Sequence, residues 1–522
     1  MFEAPLLGKV YKNKLLVDLM ENQSELNSFH KGVSLKDIDI SFMEKRDLDI
    51  ADRKLLYDVI LEQYNQCGLT SPGQLKQIRN KGTFTITTGH QLCLFGGPQY
   101  IIHKIISIIR IADLLKEKYP KYDFLPVFWL ASEDHDFKEV SSVSIFNKTI
   151  SVEGKDTTAV GRLSPTTFQT ALDELLSMTS DENAFSTLTS IFQESFKLPT
   201  WSQATRYWIH HLFNESNLVI LDADDKRMKK KFYHSMKEEL ESQFVHQQVS
   251  TTNRELTSLG YNPSINPREL NLFYLTEHAR YRIIFEKGSF RIGDEVYDKS
   301  KILEKLDQNP ENFSPNVLMR PLYQEKILPN LVYVGGPSEI AYWTQLKKSF
   351  DSQKISFPIL LLRDHFVWLS NKQLTKWESL GFNVAELLDD SDALIKGFLS
   401  RSNRSEIDVS TQLKQLEDIE IQLLEKANSI DPSLIPMVKG SVKGMKNNLD
   451  KVNQKFIKSL KNKEIQKVSQ IRSITQNIFK DGKLVERTES FISPYVKSKD
   501  DYLAKLTTAS NPFNVQLKIL TY

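Results

Sequence analysis

The chain has 522 residues, too many for a single hydrophobic core, so two or three domains are expected. Its 68 lysines and arginines nearly balance 66 aspartates and glutamates, and a formal net charge of +2 argues against a dedicated nucleic-acid binder, though not against a local basic patch. No apolar run approaches the roughly 18 residues of a spanning helix, so no membrane is expected; no secretory leader is evident, and two cysteines, Cys67 and Cys93, exclude a disulfide framework and offer no metal-ligand spacing. A reducing, cytoplasmic compartment and no metal are therefore expected.

Residues 1 to about 80 read as mostly helical, with Leu55 to Tyr64 amphipathic and Ser71-Pro72-Gly73 breaking the pattern. Thr83 to Thr88 is a β-branched and aromatic run that predicts a buried strand. Gly89-His90-Gln91 interrupts it, and Gly96-Gly97-Pro98 precedes a helix from Tyr100 whose apolar positions 101, 105, 108, 109 and 112 share one face. A second strand, Phe124 to Ala131, ends in Glu133-Asp134-His135-Asp136. Strand, glycine turn, helix, strand and then polar residues is the pattern of a ligand site at the carboxyl edge of a parallel sheet, where helix N-termini offer N–H groups to anions. The plainer alternative is a tight turn that needs glycine dihedrals. Cys93 sits in this loop near His90; as free cysteines usually pack as small apolar groups, it is expected to be structural.

Residues 141–200 predict an insertion of short strands, at Lys148 to Glu153 and Ala159 to Leu163, followed by helices. Trp201 to Phe213 predicts a helix, and Leu218 to Asp222 a strand whose end carries Asp222 and Asp224, either ligands for a ribose or metal, or turn caps. Lys226 to Lys231 reads as a solvated helix face. Alternation over residues 270–300 predicts a small antiparallel sheet within a second insertion, about 250–315. The core then resumes: Leu331 to Val334 is a strand running into Gly335-Gly336-Pro337-Ser338-Glu339 and a helix, which repeats the first turn and would place two helix N-termini at one edge. Pro358 to Arg363 is a further strand. Arg320 and Arg363 are the cations that would hold an anionic substrate, or else pair with strand-end carboxylates.

The core is expected to end near 385, followed by a helical domain over 386–483 and a return segment over 484–522. Val409, Leu413, Leu416, Leu423, Ala427 and Ile430 keep heptad spacing, Asp431-Pro432 stops the helix, and Val442, Met445, Leu449, Val452 and Phe456 open a second seam that runs roughly to Ile478. Two such helices predict an antiparallel coiled-coil hairpin from about 405 to 478, through which the chain is expected to form a homodimer. Its second arm is rich in lysine, read as a solvated face or, alternatively, as an RNA-binding arm.

Four stretches together resemble the bacillithiol-biosynthesis family BshC, the cysteine-adding ligases: Thr88 to Lys104 with Gly-His-Gln-Leu-Cys-Leu-Phe-Gly-Gly-Pro-Gln-Tyr after Thr88, Pro126 to Asp136, Arg320-Pro321-Leu322-Tyr323-Gln324, and Tyr333 to Leu346. The family often has Thr-Gly-Gln-Gln where this chain has Thr88-Gly89-His90-Gln91. The resemblance implies an α/β fold, a Rossmann-like parallel-sheet core related to class I aminoacyl-tRNA synthetases with two connecting insertions, plus the C-terminal antiparallel coiled coil. It implies a ligase joining the carboxyl of cysteine to the amine of glucosaminyl malate, with ATP activating the carboxylate and ATP or ADP as the bound nucleotide. The residues it implies for substrate or nucleotide are Thr88, Gly89, His90, Gln91, Gly96, Gly97, Tyr100, Lys104 and Trp129 from the first half. From the second half they are Arg320, Gly335, Gly336, Ser338, Glu339, Tyr342, Gln345 and Arg363. Glu133, Asp134, His135 and Asp136 are the expected catalytic cluster, with His135 or Glu133 accepting the amine proton. The alternatives are a synthetase-like ligase for another amino acid and amine, or a non-enzymatic RNA-binding or scaffold protein using the basic coiled coil.

Overall fold

The central sheet is built from five strands: β1 (Thr83–His90), β2 (Asp123–Leu130), β3 (Val219–Asp222), β4 (Asn330–Gly335) and β5 (Ile359–Leu362). The computed structural model describes residues 2–46, 48–154, 158–178, 183–402, 409–498 and 501–522. All five strands are parallel, in the order β5-β4-β1-β2-β3. They are buried on both faces, which is why they read as apolar runs rather than alternating ones. The threonines of β1 fit because their hydroxyls find partners inside: Thr85 and Thr87 both donate to Asn330 Oδ1 (3.2 and 2.7 Å), and Thr88 donates to the Val334 carbonyl (2.7 Å). Chain order reverses between β1 and β4, so the crevice outside their carboxyl ends is where such a sheet takes a ligand.

Helix α1 (Tyr100–Lys118) links β1 to β2 and is buried over most of its surface, including His103, Lys104 and Ser107. Beyond β3 lies the short helix α2 (Lys226–Lys231), capped by Asp225. Its expected solvated face is only partly so, because Lys229 is fully buried. Helix α3 (Pro337–Trp343) follows β4.

The first insertion carries a hairpin, Ser142–Ile145 with Lys148–Ser151, and helices Gln169–Ser177 and Asn183–Ser195. The strand expected at Ala159 to Leu163 is instead a 3-10 turn, Val160–Arg162. Val160 N and Gly161 N donate to the carbonyls of Asp134 (2.7 Å) and Ser132 (2.8 Å), so the segment is pinned to the loop after β2 rather than to another strand. Residues 155–157 and 179–182 of this insertion lie outside the described residues. The second insertion holds a five-stranded antiparallel sheet between Leu272 and Pro315, as the alternation predicts.

Strand His365–Leu369 leaves the core and pairs in parallel with Gln516–Thr521, which pairs antiparallel with Phe2–Pro5. Val367, Leu369, Trp377, Leu387, Leu388, Ile395, Ile471 and Leu517 share a second hydrophobic core. The boundary expected near 385 therefore sits too late; the packing changes partner at about 365. The coiled-coil hairpin is formed by α4 (Ser410–Ile430) and α5 (Ile435–Lys463), turned by Asp431 and Pro432. Its expected start, 405–408, lies outside the described residues. The second arm does not run unbroken to Ile478: the helix breaks at Glu464, and α6 (Ile465–Thr475) packs into the second core instead. Between the arms, among the described residues, Ala427, Val438 and Val442 form the buried core, while Leu423, Ile430, Met445, Val452 and Phe456 remain exposed.

Candidate active site

At the carboxyl ends of β1, β2 and β4 lies a cavity of about 690 Å³. Register explains who meets there: Gly89 pairs with Trp129 and His90 with Leu130, so the loop after β1 and the loop after β2 leave the sheet side by side. A Cβ on Gly89 would come within 3.1 Å of the Trp129 carbonyl, so glycine permits that approach.

The loop after β2 supplies the acidic cluster. Glu133 forms an ion pair with Lys229, whose ammonium also donates to the Phe313 carbonyl (2.8 Å). Burial raises the Glu133 pKa above the usual carboxylate value, and Lys229 offsets part of the rise. Asp134 accepts from Gln91 Nε2 (2.6 Å), Arg280 Nη1 (3.2 Å) and the His135 backbone N–H (2.8 Å). Burial works against its charge, but the His135 side chain, followed by Arg280, the His135 backbone N–H and Gln91, outweighs it and holds the carboxyl well below the usual range. His135 packs against Phe273 with ring centroids 5.5 Å apart. Asp136 accepts from Glu139 N (3.1 Å) and caps the helical turn Phe137–Val140, so its carboxylate is engaged structurally although it borders the cavity.

On the β1 side, His90 Nε2 lies 2.7 Å from the Tyr100 hydroxyl. Burial, helped by the charge of Lys104, lowers the His90 pKa to about 4, so the ring is neutral. Lys104 donates to the Gly89 carbonyl (2.9 Å) and pairs with Glu339 Oε2 (2.5 Å). Glu339 also accepts from Gly336 N (2.8 Å) and the Tyr333 hydroxyl (2.7 Å); burial opposes its charge, yet Lys104 and these donors hold it at about 2.

These contacts revise the expected roles of the two Gly-Gly-Pro turns. Gly96 and Gly97 face away from the cavity: a Cβ on Gly96 would meet Phe491 and Trp208, and one on Gly97 would meet Cys93 at 2.6 Å. Both have positive φ, +79° and +57°, so glycine is required for the turn and its packing. The start of α1 is also covered, with Gln99 N donating to the Glu489 carbonyl (3.0 Å). The second turn does border the cavity through Gly336 and Ser338, but its anion position is filled by the chain's own Glu339. Neither turn is therefore an open phosphate cradle.

Arg363 is likewise committed. Its Nη1 and Nη2 donate to Glu486 at 2.9 and 2.6 Å, and both side chains are fully buried. Arg320 donates to Gln324 (3.1 Å) and has no carboxylate within ion-pair distance among the described residues. The same holds for two further cations at the cavity, Arg268 from the second insertion and Arg487 from the return segment, whose guanidinium lies 5.7 Å above the Tyr100 ring.

The match to a known family follows the same division. The description "Bacillithiol biosynthesis BshC, N-terminal Rossmann-like domain" matches residues 5–364, and "Bacillithiol biosynthesis BshC, C-terminal coiled-coil domain" matches residues 366–522. The chain belongs to the BshC family. A relative from Christiangramia forsetii, named "Putative cysteine ligase BshC", is 36% identical, covering 98% of this chain and 97% of its own. One of the same name from Flavobacterium psychrophilum is 34% identical over 98% of each. A solved structure titled as an arginyl t-RNA synthetase from Campylobacter jejuni covers 88% of this chain and 95% of its own at 11% identity, but a TM-score of 0.19 lends no weight to the synthetase comparison.

Of the residues expected at a BshC site, Gly89, His90, Gln91, Tyr100, Lys104 and Trp129 line the cavity, as do Glu133 to Asp136. Arg320, Gly336, Ser338, Glu339, Tyr342 and the edge of Arg363 join them from the second half. Thr88, Gly96, Gly97, Gly335 and Gln345 do not. Thr88 ties β1 to β4; Gly335 packs beneath Ile340; and Gln345 holds the second insertion by accepting from Ser264 N (2.9 Å) and donating to the Ile265 carbonyl (2.7 Å). Asp222 is consumed by Ser132 (2.5 Å) and Ser202, while Asp224 is held by Arg162 through two bonds (2.7 and 2.9 Å). Cys93 is buried, and burial pushes its thiol well above the usual range, so it is not poised as a nucleophile. Sequence reading missed Lys229, Arg268, Arg280 and Arg487, which reach the site from distant elements; only the Lys226–Lys231 run was a visible signal for one of them.

Proposed function

We propose that this chain is the ligase that joins the carboxyl of cysteine to the amine of glucosaminyl malate, completing bacillithiol. The observation that carries the reading is the charge layout of the cavity. Arg268, Arg320 and Arg487, without carboxylate partners among the described residues, border the same space as Glu133, Asp134 and His135. Glucosaminyl malate presents two carboxylates and one amine, which suits guanidinium partners on one side and a proton acceptor on the other. Glu133 is the acceptor we favour, because burial raises its affinity for a proton and it lies at the end of β2.

A free carboxylate and an amine do not condense at a useful rate, so the carboxyl oxygen must first be made a leaving group. A nucleoside triphosphate is the reagent class we propose for that chemistry. The Gly-Gly-Pro turns do not fit a triphosphate cradle, and no step is assigned to them. This chain's own contribution is to hold the carboxylates, orient the amine and take up its proton. We also propose that the exposed apolar positions Met445, Val452 and Phe456 along α5 are covered by a second copy of the chain, giving a homodimer.

The test is the low-molecular-weight thiol pool of a strain lacking this chain. Loss of bacillithiol with accumulation of glucosaminyl malate is the expected result; an unchanged bacillithiol level overturns the reading.

A further inference from the structure

Arg280 reaches the catalytic loop from the second insertion, and every one of its N–H bonds has a destination. Nε donates to Ser314 Oγ (3.3 Å), and Nη2 donates to the same hydroxyl and to the Pro315 carbonyl (both 3.1 Å). Those bonds fix the plane of the guanidinium. Its remaining nitrogen, Nη1, then directs one hydrogen at Asp134 Oδ1 and the other at His135 Nδ1, each at 3.2 Å. Phe273 completes the arrangement, stacked 4.1 Å from the Arg280 guanidinium and tilted against the His135 ring.

A guanidinium has five donors and no acceptor. Its contact with Nδ1 is therefore satisfied only when that nitrogen presents a lone pair. Asp134 Oδ1, the competing partner that would favour a proton on Nδ1, is farther away at 3.5 Å and already accepts from Arg280 and the His135 backbone. With Nδ1 accepting, a neutral imidazole carries its proton on Nε2. We propose that Arg280 is a positioning residue that fixes His135 as the Nε2–H tautomer, making His135 a hydrogen-bond donor to the oxygen of the bound acyl group rather than a proton acceptor. The second insertion thereby sets the chemistry of a loop in the core. The tautomer stands on geometry alone; the donor role rests on the ligase reading given above.

Two measurements test this. Nitrogen-15 spectra of histidine-labelled full chain in mildly alkaline buffer, with the His135 signals identified by their loss in His135→Gln, read the tautomer without any turnover. The expected pattern has the unprotonated resonance on Nδ1 in the wild type and a mixture of tautomers in Arg280→Met, with Arg280→Lys keeping the wild-type pattern. A proton on Nδ1 in the wild type, or an identical tautomer in Arg280→Met, overturns the proposal. The second measurement compares kcat for His135→Gln and His135→Ala with cysteine, glucosaminyl malate and ATP. A glutamine amide can donate but cannot act as a base, so His135→Gln should stay within about tenfold of wild type while His135→Ala falls by roughly 10²–10³, the usual loss for an oxyanion donor. Equal losses overturn the donor role. If the wild type itself makes no bacillithiol, the ligase reading fails while the spectra still decide the tautomer.

Discussion

Lys104 and Glu339 lie 2.5 Å apart across the point where the strand order reverses, one from α1 and the other from the first turn of α3. The lysine side chain is 1% exposed, so its charge depends on that carboxylate. Burial lowers the Lys104 pKa and Glu339 restores part of it. Removing one partner should leave a charge without compensation. Glu339→Gln is expected to cost about 3–5 kcal/mol, measured by urea denaturation, and the double variant with Lys104→Met should be less destabilised than Glu339→Gln alone.

The two glycine turns should respond differently to bulk. Gly97→Val places a side chain against Cys93 at positive φ, so it is expected to lower the melting temperature by several degrees or prevent folding. Gly336 has only Glu339 Oε2 nearby, at 3.4 Å from a would-be Cβ, and it borders the cavity. Gly336→Val should fold and instead raise KM. Thermal melts beside steady-state kinetics separate the two outcomes.

Arg320 should matter for binding more than for turnover. Arg320→Met removes a cation with no carboxylate partner among the described residues, so the protein should remain folded. KM for glucosaminyl malate is expected to rise by roughly 10–100-fold, the equivalent of one lost charge-assisted hydrogen bond of about 1.5–3 kcal/mol. An unchanged KM in the folded variant contradicts the carboxylate assignment.

His365 gives the protein an acid-sensitive point. Its Nδ1 lies 2.8 Å from Glu486, and burial, followed by the charge of Arg363, lowers its pKa to about 4. The unfolded chain binds that proton with the ordinary value of about 6.5, so between the two values it holds more protons than the folded chain. Stability is therefore present above about pH 6.5 and is lost as the pH falls toward 4. His365→Asn keeps a donor for Glu486 but does not titrate. Its denaturation midpoint should fall less steeply with acid, the difference from wild type reaching about 3 kcal/mol near pH 4.

The dimer is tested at the exposed seam of α5. Phe456, 46% exposed, and Val452, 43% exposed, lie one turn apart and do not support the hairpin's own small core. Charges there should separate two copies without unfolding either. Sedimentation of Val452→Glu/Phe456→Glu is expected to give a monomer, and a persisting dimer assigns the contact elsewhere.

Local pattern was enough to find β1, α1, β2, β4 and the loop Glu133 to Asp136, because each is a short-range alternation of apolar runs and turn residues. Partner choice was not legible in the same way. Arg363 and Arg320 read alike as strand- and helix-end cations, and only the fold shows that Glu486, 123 residues downstream, occupies one and leaves the other open. Arg280 and Arg487 sit in unremarkable surroundings in the chain, and their roles arise from where an inserted sheet and a return segment happen to dock. The first glycine turn misled for a related reason: positive φ at Gly96 and Gly97 demands glycine whether the neighbour is a ligand or Phe491, and the second misled because Glu339 takes its own backbone N–H. The seam beyond Glu464 misled because a heptad pattern does not say which surface an apolar residue will cover.

The pairing of Arg363 with Glu486 also bears on how the chain is made. Arg363 follows β5 directly, and its guanidinium is buried against a carboxylate that the ribosome delivers 123 residues later. At about 5–20 residues per second, that is a wait of roughly 6–25 s. During the wait, the end of β5 carries a cation with no neutralising partner, and strand His365–Leu369 lacks the neighbour Gln516–Thr521. The nascent Rossmann-like sheet can therefore assemble early, but the separate sheet that contains His365–Leu369 cannot form until synthesis is nearly finished. Ribosome-bound chains halted before residue 486 should remain open to protease near 363, and chains halted after 522 on a long tether should not.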